Sequence, residues 1–323
     1  MANYTGIQGQ NILIVSSDPA NPVEGQIWYN STSNLLKGYA NVVTNAWASG
    51  GNLATGRYAL AGAGTQTAGL GFGGYTTVDI AATEEYDGTS WTGGGNMGSA
   101  RNSLAGAGTQ TAALGFGGSP ATAATEEYNG TSWSPGGNMA IARFAHGGAG
   151  TQTAGLGFGG YAPSVSGNTT ATEEYNGTSW VTGGTMGTAR RVLTGTGTQT
   201  AALAIGGFIP PQTAATEEYN GTSWTTGGNL NTARNGLGSA GTQTAGLAFG
   251  GSPTLPTQTS ATELYNGTSW TSNPTGLATA RRDMASAGTQ TSALAAGGFG
   301  PLITAATEEW TGTAVAVRTI TTS

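Results

Sequence analysis

The segment Gly117-Gly118-Ser119-Pro120-Ala121-Thr122-Ala123-Ala124-Thr125-Glu126-Glu127-Tyr128-Asn129-Gly130-Thr131-Ser132-Trp133 is the part of the chain from which its architecture can be read, because most of it recurs. Thr-Glu-Glu-Tyr followed by Asn-Gly or Asp-Gly and Thr-Ser-Trp returns with Tyr86 and Trp91, Tyr175 and Trp180, and Tyr219 and Trp224. The fifth copy, with Tyr265 and Trp270, carries Glu263 alone, and the sixth has Trp310 in the tyrosine place. Upstream of each phrase lies Gly-Thr-Gln-Thr, beginning at Gly64, Gly108, Gly150, Gly197, Gly241 and Gly288, at intervals of 44, 42, 47, 44 and 47 residues. A short apolar run and a glycine pair follow, at Gly73-Gly74, Gly117-Gly118, Gly159-Gly160, Gly206-Gly207, Gly250-Gly251 and Gly297-Gly298. Each unit closes on an apolar residue and an arginine, such as Met97 and Arg101.

A period near 45 residues admits helical repeats and β architectures alike. Glycine in windows such as Ser103-Leu104-Ala105-Gly106-Ala107-Gly108 costs a helix about 1 kcal/mol per residue. No apolar stripe of helical period runs through the unit, whereas Asn-Gly between short alternating runs is a hairpin signal. Each unit therefore reads as four short strands, at about 102–108, 111–117, 123–128 and 131–134 in the second copy. Four-stranded sheets repeated radially make a β-propeller. The fold expected is all-β: a six-bladed β-propeller over residues 47–323, with residues 1–46 as a short N-terminal hairpin and attachment segment. Either residues 42–47 or residues 313–320 supply the last strand of the sixth unit.

Composition narrows the chemistry. The 323 residues include 58 glycines, one histidine and no cysteine. Without cysteine there is no disulfide, thiolate metal site or cysteine nucleophile. A net charge of −6 with ten basic residues excludes the basic footprint that nucleic-acid binding needs. No apolar run reaches the roughly 20 residues of a membrane-spanning helix, and Met1-Ala2-Asn3-Tyr4-Thr5 does not read as a secretory signal.

The paired glutamates invite comparison with the two carboxylates of glycoside hydrolysis. Adjacent strand residues point to opposite faces, however, and the pairs recur in every unit as a scaffold element would. Their expected role is structural. Glu84, Glu126, Glu173, Glu217, Glu263 and Glu308 would meet the repeat arginines Arg57, Arg101, Arg143, Arg190, Arg234 and Arg281 between units in charge-assisted contacts. His146 is read as a tolerated substitution in a first-strand run, at a place where other units carry Ala or Gly. The Asn-Gly-Thr phrases are read as turns, and the glycine-rich runs lack the lysine of a phosphate loop. No catalytic residue, cofactor site or metal site is expected. Sequence variation concentrates in the loops after the glycine pairs, which carry Tyr75, Tyr161, Pro163, Phe208, Ile209, Pro210, Leu255 and Pro301. Loops on a rigid scaffold are where recognition usually resides.

The double glycine, tyrosine, tryptophan, apolar residue and arginine, as in Gly117-Gly118, Tyr128, Trp133, Met139 and Arg143, resemble the kelch repeat, although the tyrosine-to-tryptophan spacing is shorter than usual. The near identity of the copies looks like the glycine- and threonine-rich kelch-like proteins of tailed bacteriophages. Asp18 to Tyr39, with Ile27-Trp28-Tyr29 and Leu35-Leu36-Lys37-Gly38-Tyr39 as strands, resembles a hairpin module of phage tail-fibre and other virion proteins. The resemblance implies a non-enzymatic virion protein, a tail fibre or receptor-binding component whose loops contact a host glycan or protein. It implies virion partners through residues 1–46, a cyclic or multicopy assembly, and no nucleic acid or membrane insertion. Two other functions stand beside it: a capsid or tail decoration protein, and a polysaccharide-binding or polysaccharide-degrading propeller.

Overall fold

The computed structural model describes residues 12–23, 25–42 and 45–320. The chain divides into two compact units, one taking in the described residues up to 42 together with 312–320, the other spanning 45–311.

Each repeat folds as an antiparallel four-stranded sheet. In the second repeat the strands are Ala105–Thr109, Ala112–Phe116, Thr125–Tyr128 and Trp133–Pro135. Residues 131 and 132 belong to a turn rather than to the fourth strand, for a local reason: the Asn129 side-chain oxygen accepts hydrogen bonds from the backbone N–H groups of Thr131 and Ser132, both at 2.9 Å. Gly130 supplies the positive φ that the turn requires, +87°. In the sixth repeat the fourth strand is Ala46–Ser49, which pairs with Thr307–Thr311. The strand Ala314–Thr319 pairs instead with Leu35–Val42.

Strand pairing corrects the expected fold class. Instead of a six-bladed kelch-like β-propeller with a hairpin, the described residues form eight separate sheets, seven four-stranded and one two-stranded, Tyr161–Ala162 with Gly167–Asn168. No strand of one sheet pairs with a strand of another. The N-terminal hairpin, Ile27–Asn30 with Leu35–Val42, forms the middle of a mixed four-stranded sheet instead of standing alone. Leu13–Val15 runs parallel to Ile27–Asn30, and Ala314–Thr319 covers the outer edge of Leu35–Val42. An uncovered edge would leave a row of unpaired backbone groups. Within this sheet Asp18 accepts hydrogen bonds from the Trp28 indole, Asn30 and Lys37, and these hold its carboxyl down at about 2.

Side chains and single backbone bonds join the repeat sheets. The indole of Trp133 donates to Thr83 in the preceding sheet at 2.9 Å, and five other tryptophans repeat the contact, including Trp47 to Thr262 and Trp91 to Thr307. Gln110 donates to the carbonyls of Gly69 and Tyr86, and Gln66 of the first sheet to those of Ala293 and Trp310 in the sixth. The second carboxylate of each phrase accepts the hydroxyl of the next sheet's tyrosine: Glu85 from Tyr128, Glu127 from Tyr175, Glu174 from Tyr219, Glu218 from Tyr265 and Glu309 from Tyr86, all at 2.5–2.6 Å. The one place without this bond explains two departures from the repeat at once. Between the fifth and sixth sheets Leu264 replaces the glutamate and Trp310 the tyrosine, and both belong to one apolar cluster. A buried hydroxyl facing leucine would lack a partner, so the two changes are compensatory.

Glycine is required where backbones approach. A Cβ at Gly106 would stand 2.5 Å from the Gly62 carbonyl oxygen in the neighbouring first strand. At Gly118, φ is +119°, and its N–H donates to the carbonyl of Arg143 in the next repeat.

Two outcomes follow from these contacts. Trp310→Tyr and Leu264→Glu, each alone, destabilise by about 2 kcal/mol through an unpaired buried polar group. The double variant recovers about 1–2 kcal/mol of coupling, read from denaturant unfolding of the four-member cycle. Burial, followed by the bond to glutamate, pushes the Tyr86, Tyr128, Tyr175, Tyr219 and Tyr265 phenols up to about 12. The folded state therefore favours the neutral phenol. This part of the stability is complete below the ordinary value of 10 and is lost as pH rises towards 12. Absorbance at 295 nm then shows these five ionising together with unfolding, later than exposed tyrosine.

Candidate functional site

The segment leading into each first strand builds the site. Arg57, Arg101, Arg143, Arg190, Arg234 and Arg281 are all buried. They form ion pairs with Glu84, Glu126, Glu173, Glu217, Glu263 and Glu308 respectively. Each pair joins the entering segment to the third strand of the sheet it enters. The Arg101 guanidinium also donates to the carbonyls of Gly117 and Ala124, while Glu126 accepts the Gly98 N–H at 2.6 Å. Burial pulls these guanidinium groups below their ordinary pKa, and the glutamates oppose that shift. The glutamates are thus committed to arginine on one side of the strand and to tyrosine on the other. They form no free pair of carboxylates.

Two residues beyond each arginine the backbone turns left-handed. Ala59, Ser103, Ala145, Val192, Gly236 and Asp283 have φ between +53° and +60°. Their backbones form a closed circuit of hydrogen bonds. Ser103 N–H donates to Ala59, Ala145 to Ser103, Val192 to Ala145, Gly236 to Val192, Asp283 to Gly236 and Ala59 to Asp283, at 2.7–2.9 Å. A β-branched residue such as Val192 is strained at positive φ, so the circuit and its neighbours hold it there. These six residues and the first strands of all six sheets line a cavity of about 600 Å³.

The residue between each arginine and the circuit stands at the cavity's end and pairs with the loop after the glycine pair. The bridges are Tyr58 with Tyr75, Asn102 with Ser119, Phe144 with Tyr161, Arg191 with Phe208, Asn235 with Ser252 and Arg282 with Phe299. Ring centroids lie 5.5 Å apart for Tyr58–Tyr75 and Tyr58–Phe299, and 5.3 Å for Phe144–Tyr161. Arg191 lies over Tyr161 and Phe208, at 5.5 and 5.0 Å, and Arg282 over Phe299 at 5.2 Å. Asn102 donates to Asp79 at 2.6 Å. Asp283 pairs with Arg282, and burial raises its carboxyl despite that partner.

Of the loop residues singled out from sequence, Tyr75, Tyr161 and Phe208 pair with residues at this rim. Leu255 is 58% exposed and lines a second pocket beside it. Pro163, Pro210 and Pro301 are exposed, and Ile209 is part-buried, its N–H bonded to the Pro211 carbonyl within its own loop. Sequence reasoning missed Tyr58, Phe144, Arg191, Asn235, Arg282 and Asp283. Their signal was available: the residue after the invariant arginine differs from unit to unit. His146 also needs correction. It occupies the place of Leu60, Leu104, Leu193, Leu237 and Met284, two residues after the mouth position, not that of an Ala or Gly. It is buried against Phe116, and neither ring nitrogen has a partner among the described residues.

No known family profile matches the chain, and no curated protein matches it by sequence. Among solved structures it is similar to one titled "Structure of YjhT", with a TM-score of 0.65 and 13% identity over 83% of this chain and 99% of that one. At that identity the likeness concerns the fold. It corrects the kinship expected with phage proteins, because the match is not to a tail fibre or a decoration protein. The expectations built on that kinship are withdrawn with it: virion location, host attachment, assembly partners through residues 1–46 and a cyclic or multicopy virion assembly. The non-enzymatic assignment is withdrawn too. The region taken for an attachment hairpin contributes strands to a sheet that the chain's own C-terminal strand completes, while residues 1–11 lie outside the described residues.

Burial, with Arg143 and Arg101 adding to it, lowers the His146 imidazole well below 6.5. The fold holds it neutral, so its contribution is present above pH 6.5 and is lost as pH falls. His146→Leu, the residue of four equivalent positions, raises stability at pH 7 by about 1 kcal/mol by removing unpaired buried nitrogens. It also flattens the loss of stability between pH 7 and 5, as measured by thermal melts.

Proposed function

We propose that the chain recognises carbohydrate at the rim of the 600 Å³ cavity, as a polysaccharide-binding or polysaccharide-degrading protein. The pairing of variable loops with variable mouth residues carries this reading: Tyr58 with Tyr75, Phe144 with Tyr161 and Arg191 with Phe208. Concave sites for small ligands combine apolar and aromatic walls with a few oriented polar groups. Aromatic faces suit the C–H faces of a pyranose. Arg191, Asn102 and Asp79, set among the rings, suit its hydroxyls. The glutamate pairs take no part, since the scaffold consumes them.

Degradation would draw on Asp283, the one carboxylate among the residues lining the cavity. A chain-cleaving activity would appear as new reducing ends, whereas a binding protein gives retention without them. Affinity electrophoresis through gels holding single polysaccharides, run beside a reducing-end assay, tests the reading. Retention by at least one polysaccharide is expected, with Tyr75→Ala and Tyr161→Ala each weakening it about tenfold while the melting temperature stays close to the parent. Absence of retention by every polysaccharide, or parental retention in both variants, overturns it.

A further inference from the structure

The hydrogen-bonded circuit orders the six repeats, so the second stands opposite the fifth, with the first and third on either side of the second. The mouth residues follow that order in a mirror-like pattern. On one side of the line from the second repeat to the fifth stand Tyr58 with Tyr75 and Arg282 with Phe299. On the other side stand Phe144 with Tyr161 and Arg191 with Phe208. Each side is a wall of rings with one arginine over them. Both ends of the line carry the same small polar pair, Asn102 with Ser119 and Asn235 with Ser252. Four bulky sectors thus leave two places at which an elongated ligand could cross the rim.

Burial closes one of them. Asn235 and Ser252 are 4% and 0% exposed, and the fifth loop runs from residue 252 to 261 before its third strand begins. What remains open there is a pocket of about 140 Å³ walled by Val192, Phe208 and Leu255, well below the roughly 300 Å³ at which sites for small ligands begin. The other place stays open. Asn102 and Ser119 are both part-exposed, and the second loop, residues 119–124, is the shortest of the six, against 161–171 in the third. Polar groups border this gap: the Asn102 amide donates to Asp79 at 2.6 Å, and its oxygen accepts the Ser103 hydroxyl at 2.6 Å.

We infer that the site takes the end of a saccharide chain: the terminal sugar seats at the mouth between the two walls, and the chain leaves through the gap at Asn102 and Ser119. A chain lying across the mouth needs a way in and a way out, and the rim has one. Sugar hydroxyls passing the gap meet the Asp79 carboxylate, a charge-assisted acceptor. The inference rests on the carbohydrate reading above and fixes which part of the polymer is recognised.

The test is isothermal titration calorimetry of the full chain with linear fragments of graded length, cut from a polysaccharide that retains it in the gels. One protein per fragment is expected at every length. Ser119→Tyr, which copies Tyr161 at the same place in the third repeat, is expected to fill the gap and weaken binding of the longest fragments about tenfold. Thr254→Trp, on the exposed part of the fifth loop, is expected to leave that binding within about twofold. Melts confirm folding, and the stoichiometry of the parent chain decides the matter if Ser119→Tyr fails to fold. A number of sites that grows with fragment length, or a loss in Thr254→Trp equal to that in Ser119→Tyr, means that the chain crosses the mouth. Either result overturns the inference and leaves the carbohydrate reading standing, as does parental binding in folded Ser119→Tyr. Retention by no polysaccharide overturns both readings.

Discussion

The rest of the structure depends on the buried arginine–glutamate pair, made six times. An isolated charge is expensive to bury, and removing one partner of a buried pair typically costs about 3–5 kcal/mol. Here each arginine is tied to a carboxylate on a third strand and, in Arg57, Arg101, Arg143 and Arg234, to three backbone carbonyl oxygens of the same sheet, one of them in the double glycine. The segment it anchors therefore has one position relative to its sheet. The next residue is the mouth residue, and the one after that belongs to the circuit of left-handed residues. Each arginine's carbonyl also accepts the N–H of the second glycine of the preceding pair, as Arg101 does from Gly74 and Arg57 from Gly298. One ion pair thus sets a loop, a mouth residue and a contact with the neighbouring sheet.

This arrangement explains the low charge of the chain. Eleven of its sixteen acidic residues lie in the repeated phrase, where they serve arginine and tyrosine. The charges left for ligands are few and local: Arg191, Arg282, Asp79 and Asp283 around one end of the cavity. The Leu264–Trp310 exchange shows the same economy from the other side. Where tyrosine is lost its glutamate is lost as well, because a buried polar group is tolerated only with its partner.

Hairpins, repeat units and the roles of glycine were legible in sequence because they arise from neighbours along the chain. Asn129 caps its own turn, and Gly130 adopts its own φ. The identity of the last strand was not legible, since Ala46–Ser49 and Ala314–Thr319 are both short alternating runs and only pairing separates them. The phage reading failed for a different reason. It rested on repeat composition and an N-terminal phrase, and neither contains the residues that form the mouth.

What the sequence by itself determined is periodic: six units, four strands in each, their turns, and an arginine and a glutamate in every copy. These follow from local backbone preference and from repetition, which a single chain displays in full. The tertiary structure alone decided which glutamate meets tyrosine and which meets arginine. It also placed Tyr58, Phe144, Arg191, Asn235 and Arg282 beside the variable loops. Those relations join residues far apart in the chain, through burial and hydrogen-bond geometry that no local pattern encodes.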